Sequence, residues 1–339
     1  MSVFLGVDVG GTKTHTVAVN EHGNVLGFVL DSAGGTHRVG LDQFIRVIER
    51  SIALALKPSG KGIHDVAAIS MGIAGLDWPE DLFTIQNTLH QIPMPEIVDL
   101  HNDGDLPLAA GCKNGWGVAV IAGTGSVVTG IGPDDQYARS TGGSTLLGEL
   151  GGAKELVDLA IQAVSRAYIG RGPATSLTKL MLNWMDEQDI AKMLSDISRQ
   201  RVKVKPDFAV PIAAEAAAGD QVAQEIMRVS GEDLGETAVA IVRQLGIQHQ
   251  TFEMVLSGSM FKSGPQFTAP LRRSVVAAAP LVTFSEIETA PVIGAVILAM
   301  KKAGADFSAI RQHLIDQTND ILERNPAPIG SVESPIMLI

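Results

Sequence analysis

Cysteine is nearly missing from this sequence: Cys112 is the only one in 339 residues. That excludes a disulfide framework, a cysteine-rich zinc site and any iron–sulfur cluster ligated within one chain. Positive charge is short as well. Lys+Arg 26 against Asp+Glu 37 leaves a formal net charge of −11, which argues against a dedicated nucleic-acid surface, because such surfaces neutralise phosphates with clustered Lys and Arg. No basic leader opens the chain and no long apolar run occurs in it, so neither a secretory signal nor a membrane span is expected. The reading is a cytoplasmic, soluble protein with no membrane or nucleic-acid partner. One more absence is local. In "FLGVDVGGTKTHTVAVNEHGNVLG" (4–27), Gly6 and Gly11 have P-loop spacing, but Thr12 stands where the lysine should be, and no helix follows. Instead, "THTVAVN" alternates β-formers into the turn signal "EHGN" and the strand-like "VLGFVL".

The length exceeds one typical core, so two domains are expected. Hydrophobic residues at 45% and charged ones at 19% are ordinary for a soluble globular enzyme. The opening layout then recurs. "GVAVIAGTGSVVTGIGPDDQYAR" (117–139) has an apolar strand (Val118–Ala122), a Gly-Thr pair, a second strand (Val127–Ile131) and a polar turn (Pro133–Gln136). With Thr12 set against Thr124, the turns "EHGN" and "PDDQ" fall at nearly the same offset. Two such hairpins suggest two related lobes, each opening with a glycine-rich loop.

The loops have a physical use. Gly10, Gly11, Gly123 and Gly125 let a ligand approach the backbone without a Cβ clash. Successive N–H groups in such a turn form an anion-binding nest, and the hydroxyls of Thr12, Thr14, Thr124 and Ser126 add donors. Together the pair would grip a polyphosphate; either loop alone reads as an ordinary hairpin turn. Between them the chain alternates α and β. "LDQFIRVIERSIALAL" (41–56) has helical periodicity, "DVAAISMGIAG" (65–75) is a buried strand leading into a loop, and "PEDLFTIQNTLHQI" (79–92) is a helix with Pro79 at its start. In "EIVDLHNDGDLPLAAG" (96–111), a short strand delivers Asn102 and Asp103 to its C-terminal end before a helix begins. Ligand groups of open α/β sheets gather at that end, which makes Asp103 a candidate general base. Asp105 competes for the role, but fits the N-cap of the next helix better.

Asp8 before Gly10-Gly11-Thr12, then "NDGD", "IAGTGS" and "VLSGSMF" (255–261) come in one order. That order resembles the first phosphate, linker, second phosphate and adenosine elements of the sugar kinase/heat-shock-70/actin superfamily. Within it the chain resembles the N-acetylglucosamine kinase and BadF/BadG/BcrA/BcrD ATPase group. "GIAGLDWPED" (72–81), "EAAAGDQVAQEIM" (215–227) and "ETAPVIGAVILAM" (288–300) support this. The resemblance spans roughly residues 3–300 and rests on order and spacing, since each motif is short. It implies a two-lobed actin-like ATPase (ribonuclease H-like) α/β fold, each lobe a mixed sheet flanked by helices, with an interlobe active-site cleft. The expected lobes are 1–116 and 117–339, with a terminal helix (313–328) as a candidate to pack back on the first.

The resemblance also implies roles, position by position. Asp8 is the acid near Mg²⁺. Gly10, Gly11, Thr12, Thr14, Gly123, Thr124, Gly125 and Ser126 meet the phosphates of ATP. Gly258 and Ser259, with Ser263 nearby, lie under the adenosine, where a side chain on Gly258 would block the approach. Asp103 takes the proton of the attacking sugar hydroxyl, and Thr36, His37, Asn102, Gly143, Ser144, Thr145 and Glu149 surround the sugar. The implied activity is an ATP-dependent kinase acting on a hydroxyl of an amino sugar such as N-acetylglucosamine or glucosamine, in a homodimer. Two other readings stay open: an ATPase coupling hydrolysis to a partner protein, and a catalytically weakened sugar sensor.

Two departures bear on the substrate. Amino-sugar kinases of the group tend to carry Ser-Asn or Thr-Asn in the loop that here reads "AGGTHRVG" (33–40), with His37 and no asparagine. In "GGSTLLGELGGAK" (142–154), Ser144 replaces the group's tryptophan and Glu149 its aspartate, a carboxylate reaching about one methylene further. A shifted or different substrate is expected. The basic run "RQRVKVKP" (199–206) reads as a solvated loop, and Met181, Met185 and Met193 as the inner face of helices.

Overall fold

A computed structural model describes residues 2–287, 289–325 and 335–337, apart from the side chain of Ser144. Glu288, the first residue of the 288–300 motif, and the last three residues of the expected 313–328 helix lie outside the described residues.

The opening hairpin forms as its alternation requires. Strands β1 (Val3–Val9), β2 (Lys13–Asn20) and β3 (Val25–Ser32) pair antiparallel. A one-turn helix α1 (Thr36–Val39) and the long α2 (Leu41–Leu56) follow, then β4 (Val66–Ile73), α3 (Pro79–Leu89), β5 (Val98–Asn102) and α4 (Asp105–Gly111). β4 lies parallel to β1, and β5 parallel to β4. α2 has the bounds its periodicity predicts. α3 begins at Pro79 because the Asp81 carboxylate caps the N–H groups of Asp77 (3.0 Å) and Trp78 (2.7 Å).

A second run begins at β6 (Gly117–Ala122), with β7 (Ser126–Ile131) and β8 (Tyr137–Arg139) antiparallel beside it. Five helices come next: α5 (Ala153–Tyr168), α6 (Leu177–Trp184), α7 (Ile190–Ser198), α8 (Ala209–Ala218) and α9 (Gln221–Gln244). β9 (Phe252–Ser257) then pairs parallel with β6, followed by α10 (Pro265–Ala278) and β10 (Val282–Glu286). The chain ends through α11 (Val292–Lys302), α12 (Arg311–Arg324) and β11 (Ile336–Met337).

The internal echo is a repeat of topology. One sheet runs β11-β3-β2-β1-β4-β5 and the other β10-β9-β6-β7-β8, so the order third–second–first–fourth–fifth strand occurs in both. The register differs by one residue from the Thr12–Thr124 alignment. Val9 and Ala122 end the first strands, and Lys13 and Ser126 begin the second, a separation of 113 each time. Thr124 therefore occupies the mid-turn place of Gly11, and Thr12 that of Gly125.

The chain divides into two compact units, Met1–Trp116 with Glu286–Ile339, and Gly117–Ser285. The second unit ends at Ser285, whereas the expected second lobe runs to residue 339. The reason is burial. The first sheet is apolar on both faces: Val3, Leu5, Val7 and Val9 pack against Phe44, Ile48 and Ile52 of α2 on one side. On the other, Phe4, Val17, Val19 and Phe28 pack against Val292, Ile293 and Val296 of α11 and Leu314 of α12. Without the C-terminal helices that second face would be open to water, so both α11 and α12 return to the first unit. Asp31 of β3, fully buried, is matched by Arg50 of α2 at 3.0 and 2.5 Å.

In the second unit the organising element is α9. Its buried residues, among them Ala223, Met227, Ser230, Leu234, Ala238 and Val242, recur at helical spacing and form one stripe. The family-like "EAAAGDQVAQEIM" is the α8–α9 joint: Gly219 turns the chain left-handed at φ +104°, and Asp220 caps α9 through the Ala223 N–H at 2.8 Å. Asp220 also accepts from Ser176 N (2.7 Å) and Thr175. Burial pushes its carboxyl up, but the backbone and hydroxyl donors outweigh this and hold it below the usual carboxylate value. Met181 and Met193 are buried, as expected of inner helix faces. Among the described residues, no helix is long and apolar enough to cross a membrane.

Candidate functional site

In the first unit, β1, β4 and β5 are parallel and end level, Val9 beside Ile73 and Ile73 beside Asn102. Four loops meet at that edge. The Gly10–Thr12 turn is closed by Gly10 N to Lys13 O (3.0 Å), and the Gly10 carbonyl accepts from Gly34 N (3.3 Å) and Gly35 N (3.1 Å). The Ala74 N–H donates to Val9 O at 2.9 Å. A Cβ on Gly35 would lie 3.3 Å from both Ala74 Cβ and Gly11 Cα, so three backbones touch there. Beside this junction stand Thr36 and His37, opening α1, and Asp77. His37 Nε2 is 3.8 Å from Asp77 Oδ2.

Asn102 ties the last two loops together. It is 4% exposed. Its amide donates to Leu76 O (3.2 Å) and Asp77 Oδ1 (3.1 Å), and its carbonyl oxygen accepts from Gly104 N (2.9 Å). Both amide hydrogens are thereby used. Its donors thus serve the protein, holding Asp77 and the Asp103–Gly104 turn in register, and a sugar hydroxyl would meet only the second lone pair of its carbonyl oxygen. Asp103 itself is half-buried, whereas Asp105 is buried in the first turn of α4, 3.9 Å from His101 Nδ1. Of the two acids, the accessible one is Asp103. Behind them His101 Nε2 binds Asp99 at 2.6 Å, with Lys302 3.5 Å from the same carboxylate. Burial pushes Asp99 up; the His101 hydrogen bond and the electrostatic pull of His101 and Lys302 outweigh it and hold its carboxyl below the usual range.

The other residues expected in this unit separate into two kinds. Thr12 is exposed on its turn. Thr14 is fully buried, its hydroxyl under Gly34, where an added Cβ would come within 2.9 Å. As a phosphate contact Thr14 is therefore corrected: β2 is covered on both faces, and the loop at Gly34 closes over this hydroxyl. Asp8, half-buried near the end of β1, has His15 Nδ1 3.7 Å from its Oδ2, a neighbour that the motif-based reading passed over.

In the second unit the turn Gly123–Gly125 is closed by Gly123 N to Gly125 O (2.9 Å) and carries Thr124 outward. The start of α5 is seated on it, with Ala153 N donating to Gly123 O and Lys154 N to Thr124 O, both 2.9 Å. Ser126 is not available as a donor, because its Oγ donates to Leu150 O at 3.0 Å. Next to the turn is a cavity of about 570 Å³ that Thr124, Ser259 and Ser263 line together. Its far wall, missed in the sequence, is α8, where Ala209, Ala213 and Ala217 recur every four residues and present a flat apolar face. Asp207 and Lys262 also line it. Gly258 sits at φ +118°, and a Cβ there would lie 2.2 Å from Ala122 O. The need for glycine is thus set by the protein's own backbone rather than by room for an adenosine.

Gly143, Ser144, Thr145 and Glu149 also belong to the second unit. Glu149 Oε1 accepts from Thr141 N at 2.8 Å, bracing its loop, while Oε2 is buried without a partner. The side chain of Ser144 lies outside the described residues. Leu150 N donates to Asp233 of α9 at 2.7 Å. Burial, with the charges of Glu236 and Glu149, raises the Asp233 carboxyl against that hydrogen bond.

Comparison with known proteins bears on this arrangement. The model of the BadF/BadG/BcrA/BcrD ATPase family matches residues 5–299, which includes Asp8, Asp103 and both glycine turns. The chain belongs to the BadF/BadG/BcrA/BcrD ATPase family. Among curated relatives, the N-acetyl-D-glucosamine kinase of Dictyostelium discoideum is 25% identical over 311 residues, covering 88% of this chain and 98% of that protein. The N-acetylmuramic acid/N-acetylglucosamine kinase of Clostridium acetobutylicum is 25% identical over 301 residues, again 88% and 98%. A crystal structure of a candidate N-acetylglucosamine kinase from Chromobacterium violaceum has a TM-score of 0.68 at 22% identity, over 88% of this chain and 99% of that one. The fold of this BadF/BadG/BcrA/BcrD family member is thus the two-sheet actin-like ATPase fold that the motif order implies.

Proposed function

We propose that this chain is an ATP-dependent kinase that transfers the γ-phosphate to a hydroxyl of an amino sugar, with N-acetylglucosamine, glucosamine or a close relative as the acceptor. The observation that carries the proposal is the sheet edge of the first unit. A glycine-rich turn, the His37 loop and an accessible carboxylate at position 103 share one end of three parallel strands, where open α/β sheets bind ligands. Family membership and the names of the two curated relatives support the same reaction.

In this reading the backbone amides of the Gly10–Thr12 and Gly123–Gly125 turns bind phosphate oxygens, with Thr12 and Thr124 adding hydroxyl donors. The cavity faced by the α8 alanines takes the adenosine, its apolar wall lying against the purine. Asp103 accepts the proton of the acceptor hydroxyl as that oxygen bonds to the γ-phosphorus and ADP leaves. Phosphoryl transfer asks mainly for positioning and charge neutralisation, and Asn102 supplies positioning through its three hydrogen bonds.

The family implies Mg²⁺. Among the described residues no group of three or more His, Cys, Asp or Glu side chains forms a metal cage. Asp8 fits nonetheless, because Mg²⁺ bound to nucleotide phosphates commonly takes only one or two carboxylates, directly or through water. When bound there it neutralises phosphate charge. A homodimer belongs to the same proposal, and sedimentation measures it.

The experiment is an ADP-release screen with Mg²⁺-ATP over amino sugars, neutral hexoses and muramic-acid derivatives. Sugar-dependent ADP is the expected result. Steady release without sugar would favour a partner-coupled ATPase, and sugar binding with no ADP a sensor. Asp103→Asn should abolish sugar-dependent release, a positioned base being worth ~10²–10⁴-fold, while nucleotide still binds. Turnover at the unmutated rate in that variant would move the base elsewhere, Asp105 first.

A further inference from the structure

The second unit holds a larger cavity, about 610 Å³, that the kinase reading does not use. It lies between the C-terminal half of α5, the turn at 171–173 and the N-terminal half of α9. Its walls are apolar, from Leu159 and Ala163 of α5 and Val222 and Ile226 of α9. The volume falls within the range of small-molecule sites, roughly 300–1,000 Å³. α5 has 16 residues, so it is about 24 Å long. Its N-terminus carries the Gly123–Gly125 turn, and this cavity lines its other half, so the two sites are separate.

The rim carries two arginines and one acid. Arg166 ends the wall of α5, and its carbonyl accepts from both Arg171 N (2.8 Å) and Gly172 N (3.1 Å). That pair of bonds folds the turn back onto the helix and brings Arg171 to the same rim. Among the described residues neither guanidinium has a side-chain partner. The acid on the rim, Glu225, is already held by Arg228 through two 2.7 Å hydrogen bonds. Two unpaired arginines over an apolar hollow, in a chain of formal net charge −11, leave an unmatched positive spot. Guanidinium forks bind planar or tetrahedral oxyanions most strongly when two donors engage at once.

We propose that this cavity is a second ligand site, taking a small organic oxyanion whose apolar body enters between α5 and α9 while its phosphate or carboxylate meets Arg166 and Arg171. The apolar walls contribute affinity by burial, and the arginines set orientation.

The test is calorimetric titration of the intact protein, saturated with Mg²⁺-ADP, with phenyl phosphate as the probe. Inorganic phosphate and benzyl alcohol serve as its two half-probes. The expected result is one saturable site per chain, at least tenfold tighter for phenyl phosphate than for either half-probe. The double variant Arg166→Gln/Arg171→Gln should weaken it at least tenfold, since each charged hydrogen bond is worth more than a neutral one, with ADP affinity and melting temperature unchanged. A second variant, Ala163→Phe, fills the hollow and should exclude the probe without removing charge. No saturable binding overturns the proposal. So does displacement by ADP, equal binding of benzyl alcohol, or binding indifferent to both variants.

Discussion

Asn102→Asp exchanges one NH₂ group for an oxygen at a residue that is 4% exposed. The hydrogen bond from Gly104 N at 2.9 Å survives, because it uses the oxygen already present. The two donated bonds, to Leu76 O at 3.2 Å and Asp77 Oδ1 at 3.1 Å, do not. Each is worth about 1 kcal/mol, so about 2 kcal/mol is lost. The new carboxylate would also face that of Asp77. Two charges that close repel by about 5 kcal/mol at an effective dielectric of about 20. The Asp77 side chain is 31% exposed, so water screens the pair and we discount the repulsion to about 1–2 kcal/mol. The sum, about 3–4 kcal/mol, corresponds to a melting-temperature drop of roughly 6–16 °C for a unit of this size. The sign with pH follows from linkage. Burial beside Asp77 raises the new carboxyl above its unfolded value of about 3.9, so the repulsive part is absent below that pH, grows as pH rises from it and is complete above the folded value. Melting followed by circular dichroism at several pH values between acid and neutral should show the variant approaching the wild type in acid. Equal melting of the two proteins at neutral pH, or a gap that does not change with pH, would refute the reasoning and the clamp with it.

Other expectations are narrower. Arg50→Met strands the fully buried Asp31 carboxylate and should cost about 3–5 kcal/mol, read from denaturant midpoints; a change below 1 kcal/mol would mean that water reaches Asp31. Gly258→Ala places a Cβ 2.2 Å from Ala122 O at φ +118° and should weaken both folding and ADP affinity, whereas Ser259→Ala should leave folding intact. Asp220 has a lowered carboxyl value, so its cap is present above the usual carboxylate range and lost as pH falls through the folded value. Asp220→Ala should therefore destabilise at neutral pH and converge with the wild type in strong acid, measured by urea midpoints.

Much of the fold was legible because its signals are local. Alternating β-formers meeting glycine turns mark both hairpins, and α2 begins and ends where its apolar period does. The order of short motifs carried the family. The candidate site was legible where a residue stands at a strand end, as Asp103 does. It was less so where the partner is distant in sequence. Asp77 lies inside a capping signal, and nothing near it shows that Asn102, 25 residues on, will hold its carboxylate. Thr14 carries the same hydroxyl as Thr12, and which of them faces outward is settled by the layer of side chains under Gly34.

By itself the sequence determined the two hairpins, the α/β alternation between them, the two glycine turns and the family. The elements depend on spacing within about a dozen residues, where backbone preference and apolar period act directly, and the family on the order of short motifs along the chain. Tertiary structure decided the rest. It returned Glu286–Ile339 to the first unit, because the second face of that sheet needed covering. It set the alanines of α8 opposite Ser259 and Ser263, made Asn102 a strut, and gathered Arg166 and Arg171 on one rim. These outcomes depend on which distant surfaces exclude water from each other, and burial is a property of the packed chain rather than of any short stretch of it.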